Sequence, residues 1–213
     1  MTAPTDRSTV HRLPERASYD ADLINQVLDE ALICHMAFVT DDGPVVIPTI
    51  HARVGGTLYL HGSHASRMMR STEDAHVSIA ATIVDGIVAA RSAFHHSLNY
   101  RSVVVFGSPR VVTDPDERTR AFEAITNHVL PGRWAEARQP NTKEDKGTKL
   151  LAIDITEASA KVRTGPPGDD IEDIATDIWA GVIPLAVTSG TPEPAPDLTP
   201  GIEIPPSVAN YGI

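Results

Sequence analysis

The chain lacks the features of several protein classes. It has one cysteine, Cys34, so it cannot form an internal disulfide, and nothing indicates an oxidising compartment. No apolar run reaches the ~20 residues of a membrane-spanning helix, and residues 1–30 lack the apolar centre of a signal peptide. From these absences we expect a cytoplasmic protein that does not insert into membranes.

Positive charge is absent from the last part of the chain. Beyond Thr164 there are eight acidic residues and no Lys or Arg, whereas residues 1–164 hold 20 acidic and 18 basic residues. Neither part offers the basic surface that duplex nucleic acid or an anionic membrane requires. We therefore expect no nucleic-acid partner, and most of the net charge of −10 belongs to the C-terminal extension.

Composition divides the chain into three parts. Residues 1–18 are polar and interrupted by proline, as in a surface arm, and residues 19–164 have the apolar content of one folded domain. Residues 165–213 contain nine of the 17 prolines and form an acidic, Pro-rich extension. Its exception is the apolar segment 178–185 around Trp179, which we expect to dock on the body or on a second subunit.

The pattern of the body predicts antiparallel strands with a few inserted helices. Apolar spacing predicts helices over residues 19–32 and from Asp114 to about Leu130, with Asp114 as N-cap before Pro115. Strands are predicted at 33–40, 45–54, 57–61, 76–91 with a bulge at Asp85-Gly86, 100–113 and 150–163, and residues 131–149 are predicted to be a loop. Short connections around one core favour a mainly β fold, a small barrel.

The segment from His61 to Arg70 is the best candidate for an anion site. It follows an apolar strand and changes to helical spacing, with Met68 and Met69 inward and Ser63 or His64 near the N-cap. Such a joint concentrates backbone N–H groups, hydroxyls and a guanidinium, which together bind phosphate. The alternative is an ordinary strand–helix connection with solvated arginines.

The remaining reactive residues give weaker signals. No pair among the nine histidines has the spacing of a helical ligand pair, and no cysteine accompanies them, so we expect scattered polar contacts and no metal site. A haem role is an open alternative, with no histidine singled out for it. Cys34 is predicted to be a small buried residue rather than a nucleophile.

Four stretches, in this order, resemble the flavin-binding split-barrel proteins of the pyridoxamine 5′-phosphate oxidase superfamily, and within it the branch of nitroimidazole reductases. They are Ala37–Val39 with Pro48 in the partner strand, Tyr59–Ser63 with Arg67, Asn99–Gly107, and Trp179–Leu185. The resemblance implies a split β-barrel of antiparallel strands with inserted helices, a homodimer, and FMN in a cleft between the subunits. The extension has no arginine to grip substrate, so oxidation of pyridoxamine phosphate itself is not expected.

The resemblance also implies which residues hold the cofactor. Ser63, Ser66 and Arg67 would bind the flavin phosphate, with His61 beside them, and the backbone of Ile47, Pro48 and Thr49 would lie along the ring. Ser102 would face the flavin, and Trp179 would close the site from one subunit or the other. No side chain is assigned a catalytic role.

The implied activity is that of an FMN-dependent oxidoreductase. The flavin would pass hydride or electrons from a nicotinamide donor, NAD(P)H, or a deazaflavin donor to a small organic acceptor. Two alternatives remain at this point, a non-catalytic flavin-binding or storage protein and a haem-binding split-barrel protein.

Overall fold

The structure is a computed structural model, which describes residues 4–72 and 75–212. Its strands are β1 (Ala17–Ser18), β2 (Cys34–Thr40), β3 (Gly43–Thr49), β4 (His51–Val54), β5 (Thr57–Ser63), β6 (Val77–Ala89), β7 (Ser97–Gly107), β8 (Arg110–Val111), β9 (Thr148–Asp154), β10 (Glu157–Arg163) and β11 (Gly181–Pro184). Its helices are α1 (Ala21–Glu30), α2 (Arg67–Ser71), α3 (Pro115–Val129), α4 (Arg133–Glu136), α5 (Thr142–Gly147), α6 (Ile171–Ile174) and α7 (Pro206–Ala209), with 3₁₀ turns at Pro14–Arg16 and Ala93–His95.

The strands form two antiparallel sheets. The larger sheet has the order β1-β10-β7-β6-β2-β3, with β11 also paired to β6, and the smaller sheet has the order β4-β5-β9-β8. Residues of both sheets and of α1 and α2 share one apolar core, and α3 covers a second cluster on the smaller sheet. The predicted mainly β split-barrel fold of antiparallel strands with a few helices is confirmed. No helix in the described residues is both long and apolar enough to cross a membrane.

The chain passes between the sheets at three places that lie inside predicted strands. The predicted strand 100–113 is wrong, because it divides at Ser108-Pro109 into β7 of the larger sheet and β8 of the smaller one. The predicted strand 45–54 is wrong, because it divides at Ile50 into β3 of the larger sheet and β4 of the smaller one. The predicted strand 150–163 is also wrong, because it divides into β9 and β10 at a turn where the Ile155 N–H donates to Gly56 O at 2.7 Å. Alternation of apolar residues continues through the corners at Ile50 and Ile155, so periodicity does not locate those two.

Local capping signals explain the helices. Asp20 accepts a hydrogen bond from the Leu23 N–H at the start of α1, and Asp114 accepts one from the Glu117 N–H at the start of α3. Both predicted helices are confirmed. The predicted 131–149 loop is wrong, because it contains α4 and α5, and α5 begins at a capping box in which Asn141 is the N-cap.

Both terminal parts pair with the larger sheet. In the N-terminal arm, β1 pairs with β10, and Thr5 and Arg7 both donate to the Glu157 carboxylate. In the extension, β11 pairs with the far end of β6, and the Leu185 N–H donates to Asp85 O at 3.0 Å. The predicted single strand with a bulge is confirmed as β6, whose register shifts between Val84 and Gly86.

Candidate functional site

Seven of the nine predicted cofactor residues lie in β3, in the end of β5 beyond β4, and at the start of α2. His51, the first residue of β4, pairs with Leu60, so His61–Ser63 extends beyond β4. The chain enters β4 from β3 through Ile50, which places Ile47–Thr49 at this same end. β3 is the edge of its sheet, so backbone groups along its free side remain available to a ligand. The two sheets therefore meet at an open corner, the β3–β5 corner.

Helix α2 closes one side of the β3–β5 corner. A Cβ atom on Gly62 would lie 2.9 Å from Met69 Cε, so a larger residue there would make the Met69 side chain shift. Met68 and Met69 are buried, as predicted from their spacing. The N-cap is Ser66, whose hydroxyl accepts from the Met69 N–H at 3.4 Å, and the prediction of Ser63 or His64 near that position is corrected accordingly.

Arg67 is a cation without a counter-ion in the described part of the chain. It is exposed at the start of α2, and its guanidinium forms no hydrogen bond or ion pair with another described residue. Most other arginines are engaged, for example Arg53 with Asp29 and Arg118 with Asp145. The Ser63 hydroxyl accepts from the Ala65 N–H at 3.2 Å and keeps its own proton to donate. The corner thus offers a guanidinium fork and a hydroxyl to an anion.

His61 adds an unsatisfied polar atom to the corner. Its Nδ1 is buried and has no hydrogen-bond partner among the described residues. Burial lowers the pKa of the His61 imidazole, because the charged form loses its hydration. A neutral imidazole with a buried unpaired nitrogen favours a hydrogen bond from a ligand.

Ser102 lies apart from the corner. It is in β7, separated from β3 by β6 and β2, which corresponds to three strand spacings or roughly 14 Å across the sheet. Its side chain is on the face opposite the buried Val103, and its hydroxyl donates to Lys161 O at 3.3 Å. Pro48 points to the same face as Ser102. It is aligned through His35 and Ala80 with Val104, which lies two residues from Ser102 in β7.

Trp179 lies still farther from the corner of its own subunit. It precedes β11, whose Gly181 pairs with Ala89 of β6, whereas Pro48 is aligned through β2 with Ala80 of β6. Nine positions along a strand span roughly 30 Å. The indole is 67% exposed and lies over Gly181, where a Cβ atom would be 2.9 Å from Trp179 Cζ2. One chain therefore does not bring Trp179 next to Pro48.

The sequence did not predict a cavity that lies beside β10 of the larger sheet. It has a volume of about 680 Å³ and lies between the 3₁₀ turn Ala93–His95 and the end of β10. We call it the Phe94 cavity, and its lining includes Arg12, Arg16, Phe94, His95, His96 and Arg163. The adjacent residues Phe94, His95 and His96 in a polar loop were the sequence signal for this cavity. Its arginines come from distant parts of the chain, so no local pattern connects them with this loop.

Two other candidate sites are weaker. Burial raises the pKa of the Cys34 thiol to about 12, so the thiolate that a nucleophile or metal ligand requires does not form near neutral pH. Among the described residues, His95, Asp170 and Asp173 each offer one ligand atom, all within 4.8 Å of one another. The Asp170 side chain is 75% exposed, and His95 Nε2 already lies 3.2 Å from its carboxylate.

Comparison with known proteins identifies the family of this chain. The family model described as pyridoxamine 5′-phosphate oxidase matches residues 20–162. The chain belongs to this family. Its fold is accordingly the split barrel of the superfamily's FAD- and FMN-binding proteins. No functionally curated protein matches the chain by sequence.

Several solved structures resemble this member of the family. The flavocytochrome Anf3 from Azotobacter vinelandii is 35% identical over 98% of both chains, with a TM-score of 0.92. The FAD and heme binding protein from Mycobacterium smegmatis is 38% identical over 91% of this chain and 96% of its own, with a TM-score of 0.87. A 5-nitroimidazole antibiotic resistance protein from Bacteroides thetaiotaomicron, at 17% identity and a TM-score of 0.59 over 68% of this chain and 86% of its own, shares the fold.

Proposed function

We propose that the chain is a redox protein that binds both a flavin and a haem and passes electrons between them. The observation that carries the proposal is the likeness to a flavocytochrome and to an FAD and heme binding protein, at 35% and 38% identity and over more than nine-tenths of this chain. Identity at this level, sustained over nearly whole chains, favours retention of the same cofactor classes.

The β3–β5 corner has the groups that a flavin phosphate requires. The Arg67 guanidinium is free to make two parallel hydrogen bonds to phosphate oxygens, and the Ser63 and Ser66 hydroxyls can donate to others. The His61 Nδ1 atom is buried and has no hydrogen-bond partner among the described residues. Pro48 lies in an edge strand, where a flat ring can approach the backbone. The residues at this corner therefore fit a flavin.

The form of the flavin is a finer part of the proposal. The sequence resemblance favours FMN, whereas the relative from M. smegmatis binds FAD by its name. We favour FAD because that relative is 38% identical to this chain, with FMN as the alternative. Chromatography of the flavin released by denaturation, against FAD and FMN standards, distinguishes the two.

The Phe94 cavity has the groups that a haem requires. It combines imidazoles, an aromatic ring and guanidinium groups, which suit the iron, the macrocycle and the propionates. A larger cavity of about 860 Å³ near α4 and α7 has no histidine among its described lining residues. When bound, the flavin supplies hydride and single-electron transfer, and the haem supplies single-electron transfer. The protein binds and orients both groups.

A homodimer belongs to the proposal, because one chain leaves the flavin site open. Pro48 and Trp179 of one chain lie roughly 30 Å apart along β6. The outer face of the larger sheet also exposes apolar side chains, with Val39 72% and Val46 60% exposed. A second copy packed on this face would cover these residues and supply its Trp179 to the flavin site.

We expect the flavin-loaded protein to be a dimer at micromolar concentration. Val46→Glu, on the exposed face of β3, is expected to shift the dimer towards monomer, because it places a charge in the apolar contact. Val54→Glu is the matched control, since Val54 is 41% exposed in the smaller sheet. Size-exclusion chromatography with light scattering measures the mass. A wild-type monomer that retains its flavin would contradict the shared site.

The proposed function is tested by the absorption spectrum and its response to a donor. We expect purified protein supplied with both cofactors to show a flavin band and a Soret band. Anaerobic addition of NADH, NADPH or a reduced deazaflavin is expected to bleach the flavin and then reduce the haem. Both bands without reduction would indicate a binding or storage protein. A flavin band with no Soret band, even after incubation with hemin, would refute the two-cofactor proposal.

A further inference from the structure

We propose that the Phe94 cavity holds haem with His96 Nε2 as an axial ligand of the iron and with Arg12 and Arg163 as partners of the propionates. This inference rests on the proposed function, because it names the residues of the haem site. It rests on the hydrogen bonds of His95 and His96, on two arginines without ion pairs, and on the exposed ring of Phe94.

His96 is held in the tautomer that an iron ligand needs. Its Nδ1–H donates to the backbone oxygen of Ser92 at 3.0 Å, which leaves the lone pair of Nε2 without a proton. A backbone carbonyl on the second ring nitrogen is the usual way in which proteins orient a ligating histidine. His96 is exposed on the cavity wall, so Nε2 is accessible.

His95 is the weaker ligand although it lines the same cavity. Its Nε2 is engaged with the Asp170 carboxylate at 3.2 Å, so only Nδ1 remains. Nδ1 lies next to the ring carbon that bears Cβ, so it is the more crowded of the two ring nitrogens. The two neighbouring histidines thus differ in the single property that iron ligation requires, a free Nε2.

Arg163 is a cation on the cavity wall, and its guanidinium forms no ion pair with a described acidic residue. It is 9% exposed, and its guanidinium donates to Asn99 Oδ1, to Gly165 O at 3.3 Å and to Pro166 O at 3.0 Å, all neutral acceptors. These bonds use three of the five N–H donors. A buried guanidinium without an acidic partner favours an anion nearby.

Arg12 provides a second cationic group on the cavity wall. It is exposed, and its side chain forms no hydrogen bond or ion pair with another residue of the described ranges. Phe94 is 87% exposed, and its ring meets that of His95 edge to face at 5.1 Å between centroids. A flat apolar ring system with two carboxylates would cover Phe94 and neutralise both arginines.

The test compares His96→Ala with His95→Ala as the matched control. Haem-depleted protein is titrated with hemin, and the Soret band and the electron paramagnetic resonance spectrum are recorded. We expect His96→Ala to weaken hemin binding by ~10-fold or more and to change the spin state, since the iron loses a ligand. His95→Ala removes a residue of the same cavity wall but leaves the free Nε2 of His96, so it is expected to keep the wild-type spin state. In His96→Gly, added imidazole is expected to restore the wild-type spectrum.

The arginines are tested with a haem that lacks the negative charges. Arg12→Ala is expected to weaken hemin by about tenfold and to leave hemin dimethyl ester unaffected, because the ester has no carboxylate to pair. Equal weakening of both compounds would place the propionates elsewhere.

Different hemin-binding results would refute the ligand assignment and the two-cofactor proposal. A wild-type protein that takes up no hemin would refute both. Wild-type uptake with an unchanged spectrum in His96→Ala, or with loss in His95→Ala alone, would refute the ligand assignment and leave the two-cofactor proposal standing. Circular dichroism confirms that each variant is folded.

Discussion

Replacing Arg67 by alanine is expected to weaken the binding of a phosphate-bearing flavin by ~10–150-fold. The guanidinium is exposed at the start of α2 and has no partner among the described residues, so it can pair with phosphate at no cost to an existing ion pair. A charge-assisted contact of this kind contributes about 1.5–3 kcal/mol. Arg67→Lys should recover only part of the affinity, since an ammonium cannot form two parallel hydrogen bonds.

The measurement is a titration of flavin-free protein, followed by quenching of flavin fluorescence. Riboflavin is the ligand control, because it lacks phosphate and should bind Arg67→Ala and wild type alike. Arg120→Ala is the protein control, since it removes one exposed positive charge from α3, away from the β3–β5 corner. If Arg67→Ala loses riboflavin as much as FAD or FMN, the residue supports the fold and the phosphate lies elsewhere.

Acidification from pH 6.5 to 4 is expected to reduce the free energy of unfolding by about 3 kcal/mol through His51 alone. His51 is completely buried, and its Nε2–H donates to Leu28 O at 2.8 Å near the end of α1. Its Nδ1 has no hydrogen-bond partner among the described residues, and the ring of His128 is 4.8 Å away. Burial first, and then the proximity of His128, lower the pKa of His51 from 6.5 to about 4.

The direction of this pH effect follows from the protonation of His51 in the folded and the unfolded protein. The folded protein keeps His51 neutral down to about pH 4, whereas the unfolded chain takes up the proton near pH 6.5. Stability from His51 is therefore complete above pH 6.5 and decreases as the pH falls, at about 1.4 kcal/mol per pH unit. Below pH 4 both states are protonated and the loss is complete.

Urea unfolding at several pH values measures this loss. His51→Gln keeps a donor that can reach Leu28 O and does not titrate, so its stability should change less between pH 6.5 and 4 than that of wild type. His11→Gln, at an exposed position of the N-terminal arm, is expected to follow the wild-type profile. Parallel loss in wild type and His51→Gln would show that other groups cause the acid sensitivity.

Local signals in the sequence were sufficient for the elements whose cause is local. Asp20 and Asp114 predicted the starts of α1 and α3, and Asp85-Gly86 predicted the irregularity in β6. The switch from strand to helical spacing after His64 predicted the joint between β5 and α2. Each of these features depends on hydrogen bonds or packing within a few residues, and such contacts leave a pattern in the sequence.

The sequence by itself thus determined the mainly β class, the main helices and the exposed cation at Arg67, while the tertiary structure decided where sheets and sites are completed. It divides three apparently continuous strands, at Ile50, at Ser108-Pro109 and at Ile155, because each half pairs with a different sheet. It brings Arg12, His96 and Arg163 to one cavity, and it separates Trp179 from Pro48. Contacts between residues far apart in the chain have no local period or spacing, so only the folded chain decides them.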